Sequence, residues 1–177
     1  MKFYTADLHF DHKNIIKYCN RPFDTVTKMN DVLIKNWNKK VRENDEVFIL
    51  GDFTMSGKDR VRELLWLLKG RKYLIIGNHD QFAKKKFETE GYLEWAKDYK
   101  MIKDDGTKVV LSHFPMVSWE CQHHGSIHLY GHIHNSDLHH KLLSNERMFN
   151  VGVDVQDFEP KTLKELTDWK DKLSKIR

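Results

Sequence analysis

The sequence predicts an α/β fold, because strand-like and helix-like segments alternate along most of the chain. Short apolar runs that end in Gly or Asp are typical of buried strands, and apolar residues spaced three and four apart are typical of helices packed on them. Of the 177 residues, 40% are hydrophobic and 12% are aromatic. This composition is enough for one compact core, so we expect a single domain over residues 1–177.

The first half predicts a β-α-β-α-β unit. The first strand covers residues 3–6, and a helix with apolar residues at regular spacing covers 29–41. A second strand over 47–50 precedes a helix with an apolar face over 61–68, and a third strand covers 73–76. In such a unit the strands are parallel and the helical crossovers are right-handed.

The second half changes character after a lysine-rich segment. Residues 81–88 predict a basic helix, interpreted as a solvated face, with a patch for substrate phosphate as the alternative.

Three tryptophans, Trp37, Trp66 and Trp169, lie at helical spacing among apolar residues and are predicted to be core side chains. The remaining elements are predicted strands over residues 99–103, 108–111, 127–130 and 148–153, and a closing helix over 160–172.

Charge and cysteine content limit the class of protein. The formal charge of +4 is consistent with an anionic substrate but falls short of a dedicated nucleic-acid binder. The two cysteines, Cys19 and Cys121, are far apart and predict no disulfide framework. No signal peptide is evident, and no segment approaches the roughly 18 apolar residues of a membrane span. We therefore expect a cytoplasmic protein with no membrane partner.

Polar clusters follow five of the predicted elements at the point where each ends. Ligands bind at the carboxyl ends of strands in open α/β sheets, so these clusters are candidates for one site. Each cluster alone is a weak signal, and it is their order and shared location that indicate a function. The clusters are Asp7-Leu8-His9, Gly51-Asp52, Gly77-Asn78-His79-Asp80, Ser112-His113 and Gly131-His132-Ile133-His134.

The donor atoms in these clusters suit divalent metal ions. Carboxylate, imidazole and amide groups bind Mn²⁺, Fe or Zn²⁺, and none of the clusters contains a thiolate. At least seven candidate ligands are more than one ion needs. The sequence therefore predicts a centre of two metal ions roughly 3.5–4 Å apart, a spacing that suits in-line displacement at phosphorus.

The five clusters, in this order, resemble the calcineurin-like metallophosphoesterase superfamily. Its pattern is Asp-x-His, Gly-Asp, Gly-Asn-His-Asp/Glu, His and Gly-His-x-His, and here it spans Asp7 to His134. The segment from His9 to Phe23 is similar to small bacterial and phage members. The resemblance implies a four-layer α/β/β/α sandwich of the metallo-dependent phosphatase type. Without a large insertion, no cap domain is expected over the cleft.

Seven of these residues match metal-binding positions of the superfamily. By this resemblance, Asp7, His9 and His134 would hold the first ion, Asn78, His113 and His132 the second, and Asp52 would bridge the two. A hydroxide shared by the ions is the expected nucleophile. Mn²⁺ is the favoured metal, with Fe, Zn²⁺, Ni²⁺ and Co²⁺ as alternatives.

His79 and Asp80 are the candidate catalytic side chains. His79 follows a ligand without being one, so it is placed to give a proton to the leaving oxygen. Asp80 is expected to orient the ring of His79.

Three more residues are candidate substrate contacts. The resemblance to small members places Asn14 and Arg21 on the cleft, and His12 could also reach the substrate. The alternative is that Asn14 caps backbone groups and Arg21 pairs with a surface acid.

The substrate class follows from what the motifs contain. Ser/Thr protein phosphatases of the superfamily have an Arg soon after Gly-Asp, and residues 51–56 have none, which argues against that activity. A phosphodiesterase is favoured, with a nucleotide or nucleic acid as a candidate substrate. A phosphomonoesterase for a small metabolite and a catalytically silent scaffold for protein assembly are the alternatives. A scaffold has no need of His79, and no obligate protein partner is evident.

Overall fold

The computed structural model describes residues 1–83 and 91–174, with side chains described up to residue 170. The strands are β1 (Lys2–Thr5), β2 (Glu46–Leu50), β3 (Arg71–Ile75), β4 (Trp95–Lys97), β5 (Tyr99–Asp104), β6 (Thr107–Ser112), β7 (Ile127–Tyr130) and β8 (Met148–Asn150). The helices are α1 (Ile15–Tyr18), α2 (Val26–Lys40), α3 (Lys58–Leu67), α4 (Asp137–Leu142) and α5 (Leu163–Ser174).

The strands form two four-stranded sheets. The first has the order β1-β2-β3-β4 with all neighbours parallel, which confirms the predicted β-α-β-α-β unit. The second has the order β5-β6-β7-β8, in which the predicted hairpin β5-β6 is antiparallel and the other pairs are parallel. The edge strand β4 was not predicted, since three residues are too few to show a pattern.

The two sheets pack face to face through one apolar layer. Tyr4, Phe48 and Ile75 of the first sheet share a cluster with Leu111 and Leu129 of the second. The opposite face of the first sheet is covered by α2 and α3, and the opposite face of the second by α4 and the segment before β7. Because successive strand residues point to opposite faces, both sheets are apolar on both sides. The predicted α/β/β/α sandwich is confirmed.

The ends of the two sheets are joined at the carboxyl edge. Ala6 forms a bridge with Gly152, and its amide donates to the Val151 carbonyl oxygen at 3.0 Å. On the first sheet, the Asp7 amide donates to the Gly51 carbonyl oxygen at 3.0 Å. The segments that follow β1, β2 and β8 therefore run side by side. Residues just beyond these strands are brought together from distant parts of the chain.

Two sequence predictions differ from the structure. Trp37 is fully buried, but Trp66 is 76% exposed and Trp169 is also exposed. The buried face of α3 is made by Val61, Leu64 and Leu65, so Trp66 points away from the sheet. The predicted strand over residues 148–153 ends at Asn150, and most of the predicted helix over 81–88 lies outside the described residues.

Within the part described, no helix is both long and apolar enough to span a bilayer.

Candidate metal centre

The first ligand cluster lies beyond β1 and β7. Asp7, His9 and His134 each offer a donor atom, and these atoms lie within 4.8 Å of one another. Asp7 and His9 are buried, and both oxygens of Asp7 accept a hydrogen bond from the His132 amide, at 2.9 and 3.0 Å. The three residues predicted to hold the first ion are thus adjacent.

The second cluster lies beyond β2 and β6. Donor atoms of Asp52, His113 and His132 also lie within 4.8 Å of one another. The Oδ1 atom of Asn78, from the end of β3, is 3.0 Å from His113 Nε2 and 3.1 Å from His132 Nδ1. All four residues predicted around the second ion converge on one point.

Asp52 lies between the two clusters. Its Oδ2 atom is 3.5 Å from His9 Nε2 of the first cluster and 3.5 Å from His113 Nε2 of the second. Its Oδ1 atom accepts a hydrogen bond from the His79 amide at 2.9 Å, which fixes the carboxylate. This placement is the one that a bridging ligand requires.

The backbone is strained where it presents the ligands. Five of the seven candidates have a positive φ, a conformation uncommon for residues other than glycine. Such residues cost on the order of 1–3 kcal/mol each and cluster at functional sites. The five are Asp7 (57°), His9 (50°), Asp52 (55°), His132 (71°) and His134 (47°).

Glycines next to the ligands leave space for their side chains. A Cβ atom on Gly77 would lie 2.3 Å from Asp52 Oδ1, and one on Gly51 would lie 2.3 Å from His113 Nδ1. Gly51 also has a φ of +88°, which disfavours any side chain. These positions accept only glycine because the ligands occupy the volume beside them.

The protonation states of His9 and Asp7 suit a nearby cation. His9 Nε2 is buried and has no hydrogen-bond partner among the described residues. Burial is the main cause that lowers the pKa of His9 to about 2, so the ring is neutral and keeps a free lone pair. Burial also raises the pKa of Asp7 to about 7, a cost that a nearby cation would offset. An orphaned imidazole nitrogen beside two carboxylates fits a divalent metal ion.

Asp154 supports the first cluster, although the sequence motifs did not predict it as a site residue. Its Oδ2 atom lies 2.7 Å from His134 Nδ1, which leaves the other ring nitrogen of His134 available to the first cluster. Burial alone would lower the pKa of His134, but its contacts with Asp154, Cys19 and Asp7 outweigh burial and raise the pKa to about 10. Asp154 follows β8 after Gly152 and Val153. The sequence did carry a signal for Asp154, because this carboxylate directly follows the predicted strand over residues 148–153.

The structure corrects the prediction for Arg21. Its side chain is only 4% exposed and lies behind the site. The Nε and Nη2 atoms donate to Asp154 at 2.7 and 2.9 Å, and Nη2 also donates to the Asp7 carbonyl oxygen at 2.7 Å. Neither a substrate contact nor a surface ion pair is compatible with this burial, because the guanidinium is bound to Asp154 and to the carbonyl oxygens of Asp7 and Leu8.

Asp80 also differs from its predicted role. It is fully buried, and its oxygens accept hydrogen bonds from the amides of Asp52 (2.8 Å), Phe53 (2.9 Å) and Gly77 (2.8 Å). Burial raises the pKa of Asp80 to about 6. The carboxylate thus holds the loop that presents Asp52 and does not orient the ring of His79.

Two further predicted residues, His12 and His79, line a cavity of about 510 Å³. His9, His132 and His134 also line this cavity, which we call the histidine cleft. His12 Nδ1 lies 3.3 Å from His9 Nδ1, and His79 Nε2 lies 4.0 Å from Asp52 Oδ2 with its side chain 34% exposed.

Asn14 is exposed and lies immediately before α1. It does not line the cavity, and its side chain makes no capping hydrogen bond. Its substrate contact therefore stays a prediction.

Known proteins resemble this chain over most of its length. The family described as calcineurin-like phosphoesterase matches residues 3–136. An uncharacterised protein of Methanocaldococcus jannaschii is 40% identical over 162 residues, which cover 89% of this chain and 84% of the relative. The gene 66 protein of Mycobacterium phage D29 is 31% identical over 178 residues, covering 86% of this chain and 87% of that protein.

A solved structure agrees with the fold. The crystal structure of a protein of unknown function from Aquifex aeolicus matches with a TM-score of 0.75 and 26% identity, covering 96% of this chain and 98% of that one. The family match extends over the ordered ligand motifs from Asp7 to His134. The chain belongs to the calcineurin-like phosphoesterase family, and its site is suited to metal-dependent hydrolysis of a phosphate ester.

Proposed function

We propose that this protein is a phosphodiesterase with a centre of two divalent metal ions, Mn²⁺ being the favoured metal. The observation that carries the proposal is the position of Asp52, whose Oδ2 atom is 3.5 Å from a histidine of each ligand cluster. Two clusters that share one carboxylate are what a two-metal site needs. When bound, the ions would neutralise charge on the phosphoryl group and make a water molecule acidic enough to attack it.

The chain's own residues hold the metal ligands in place, and one of them can protonate the leaving group. His79 faces the cleft next to Asp52, where its ring can donate a proton to the leaving oxygen. Arg21 holds the loop of Asp7 and positions Asp154 against His134 from behind. Asp80 fixes the loop of Asp52 through three backbone amides. The contacts of Arg21 and Asp80 keep the ligands in place without touching the substrate.

The charge of the cleft supports a diester over a monoester. A monoester carries a second negative charge, which phosphatases bind with Arg or Lys side chains. Among the described residues, no Arg or Lys lines the cleft, and Arg21 is buried behind it. A diester with one negative charge suits a site whose positive charge comes from the metal ions.

The proposal is tested by hydrolysis of bis(4-nitrophenyl) phosphate and of 4-nitrophenyl phosphate. The protein is first stripped of metal with chelator and then restored with excess Mn²⁺. We expect turnover of the diester to disappear with chelator and to return with Mn²⁺, with a higher kcat/KM than for the monoester. A higher kcat/KM for the monoester, or diester turnover that survives chelation, would contradict the proposal.

A further inference from the structure

Two exposed aromatic side chains lie near the metal centre: Tyr18 lines the histidine cleft, and Phe114 lies outside it against two ligand histidines. Tyr18, the last residue of α1, is 72% exposed and meets the His12 ring edge-on, with centroids 6.2 Å apart. Phe114, just beyond β6, is 48% exposed, and its ring centroid is 4.5 Å from that of His132 and 4.9 Å from that of His113. Large exposed aromatic side chains beside a catalytic site are candidates for binding substrate.

The two aromatic side chains lie beside different ligand clusters. Tyr18 contacts His12, whose Nδ1 atom is 3.3 Å from His9 of the first cluster. Phe114 contacts His113 and His132, both of the second cluster. Since Asp52 lies between His9 and His113, a phosphoryl group beside Asp52 would have one aromatic ring toward each cluster.

The residues that line the cleft indicate which kind of chemical group the substrate carries next to its phosphate. Besides Tyr18, Ile15 and Ile133 line the cavity with apolar side chains, and Asn135 and Ser136 add polar groups. No described residue that lines the cavity is a carboxylate, Lys or Arg. This wall suits a flat, uncharged group with apolar faces and a polar edge, which are the properties of a nucleobase.

We propose that the substrate is a phosphodiester that joins two nucleosides, one base stacking on Tyr18 and the other on Phe114. This inference deepens the proposed phosphodiesterase function and rests on it. Aromatic stacking tolerates any base because every base has a π-face, so binding would show little sequence preference. The base on Tyr18 is enclosed by the cavity wall, whereas Phe114 does not line the cavity and offers an open surface. Loss of Tyr18 should therefore cost more.

The test compares a thymidine dinucleotide with its analogues that lack one base. Rates are measured with Mn²⁺-loaded wild type and with the Tyr18→Ala and Phe114→Ala variants. Binding is measured in parallel with a methylene-phosphonate analogue of the dinucleotide, which cannot be hydrolysed. Trp66→Ala is the control, because Trp66 is as exposed as Tyr18 but lies on α3, which covers the outer face of the first sheet, and does not line the cleft.

We expect Tyr18→Ala to lower kcat/KM and affinity for the dinucleotide about tenfold, the scale of one lost stacking contact, and Phe114→Ala to lower both by a smaller factor. The same variants should change little on the analogue that already lacks the corresponding base, and Trp66→Ala should match wild type. Tyr18→Phe and Phe114→Tyr should restore most of the loss, because they retain the ring.

The outcomes separate this inference from the proposed function. Equal rates and affinities for the dinucleotide in all variants would overturn the stacking role and leave the phosphodiesterase standing. Base-dependent binding without turnover would overturn the phosphodiesterase and support the two stacking sites. Neither binding nor turnover would overturn both.

Discussion

At the scale of single residues, the ligand set depends on groups that never face the substrate. Asp154 lies 2.7 Å from His134 Nδ1 and also accepts from Arg21 at 2.7 and 2.9 Å. A carboxylate in this position fixes the tautomer and the orientation of a ligating histidine. The pKa of Asp154 is itself held low against burial by His134 and Arg21, so it is ionised at neutral pH.

Replacing Asp154 tests this support. Asp154→Asn keeps the volume but removes the charge, and we expect affinity for Mn²⁺ to fall about 10- to 100-fold. Isothermal titration calorimetry measures the change. Asp157→Asn is the control, because Asp157 is an exposed carboxylate three residues away. Unchanged Mn²⁺ affinity in a folded Asp154→Asn protein would show that Asp154 does not orient His134 for metal.

His79 can be tested through the leaving group. His79→Ala should lower kcat about 10²- to 10⁴-fold for a diester with an alkyl leaving group, which needs a proton. The loss should be much smaller for a 4-nitrophenyl leaving group, which departs without one. Metal content of the variant is measured as the control. Full activity on the alkyl ester, with metal still bound, would rule out the proton-donor role.

The sequence identified ligand types better than it identified support residues. All seven predicted ligands lie in the two clusters, because Asp, Asn and His at strand ends share one edge of the fold. Arg21 was predicted as a substrate contact and Asp80 as the residue that orients His79, yet both are buried and hold the loops that carry the ligands. The direction of a side chain depends on packing between distant segments, which local patterns do not show.

At the scale of elements, the same residue type has different roles on neighbouring helices. Trp37 on α2 is fully buried, and its Nε1 donates to the Lys69 carbonyl oxygen at 2.9 Å. Trp66 on α3 is exposed, although both tryptophans were predicted as core. Helical spacing alone does not distinguish the edge of an apolar face from its centre.

The two tryptophans form a matched pair for stability. Trp37→Ala should lower the free energy of unfolding by about 3–5 kcal/mol, because it leaves a large cavity and an unpaired carbonyl. Trp66→Ala should change it by less than about 0.5 kcal/mol. Urea denaturation measures both. Similar losses in the two variants would contradict the packing described for α2 and α3.

Strand β7 carries a buried histidine that affects stability in acid. His128 Nε2 accepts from the Met116 amide at 3.1 Å, and burial lowers the pKa of His128 to about 4. Between pH 6.5 and 4 the unfolded chain therefore binds the proton and the folded chain does not. Stability from this group is present above pH 6.5 and is lost as the pH falls.

We expect His128 to account for a loss of about 2 kcal/mol in the free energy of unfolding between pH 7 and pH 5. Urea denaturation at both pH values, with chelator present, compares wild type with His128→Gln, in which this loss should be absent. His140→Gln, at an exposed histidine, should behave as wild type. An equal pH dependence in wild type and His128→Gln would show that His128 titrates normally in the fold.

At the scale of the whole molecule, the site exists because two sheets meet at one edge. The first sheet supplies Asp7, His9, Asp52 and Asn78, and the second supplies the remaining histidines. Strand periodicity predicted the parallel unit of the first sheet. It did not predict that a second sheet packs on it, since sheets that are apolar on both faces have no unique partner. The four layers were predicted only through the ordered motifs.

The most direct test of the central claim is the number of metal ions bound and its dependence on Asp52. Equilibrium dialysis against Mn²⁺ should give two ions per wild-type chain. His113→Ala should retain one, because the cluster of Asp7, His9 and His134 is intact, while Asp52→Asn should weaken the binding of both ions. A single ion in wild type, or an Asp52→Asn protein that loses only one of two, would contradict a centre bridged by Asp52.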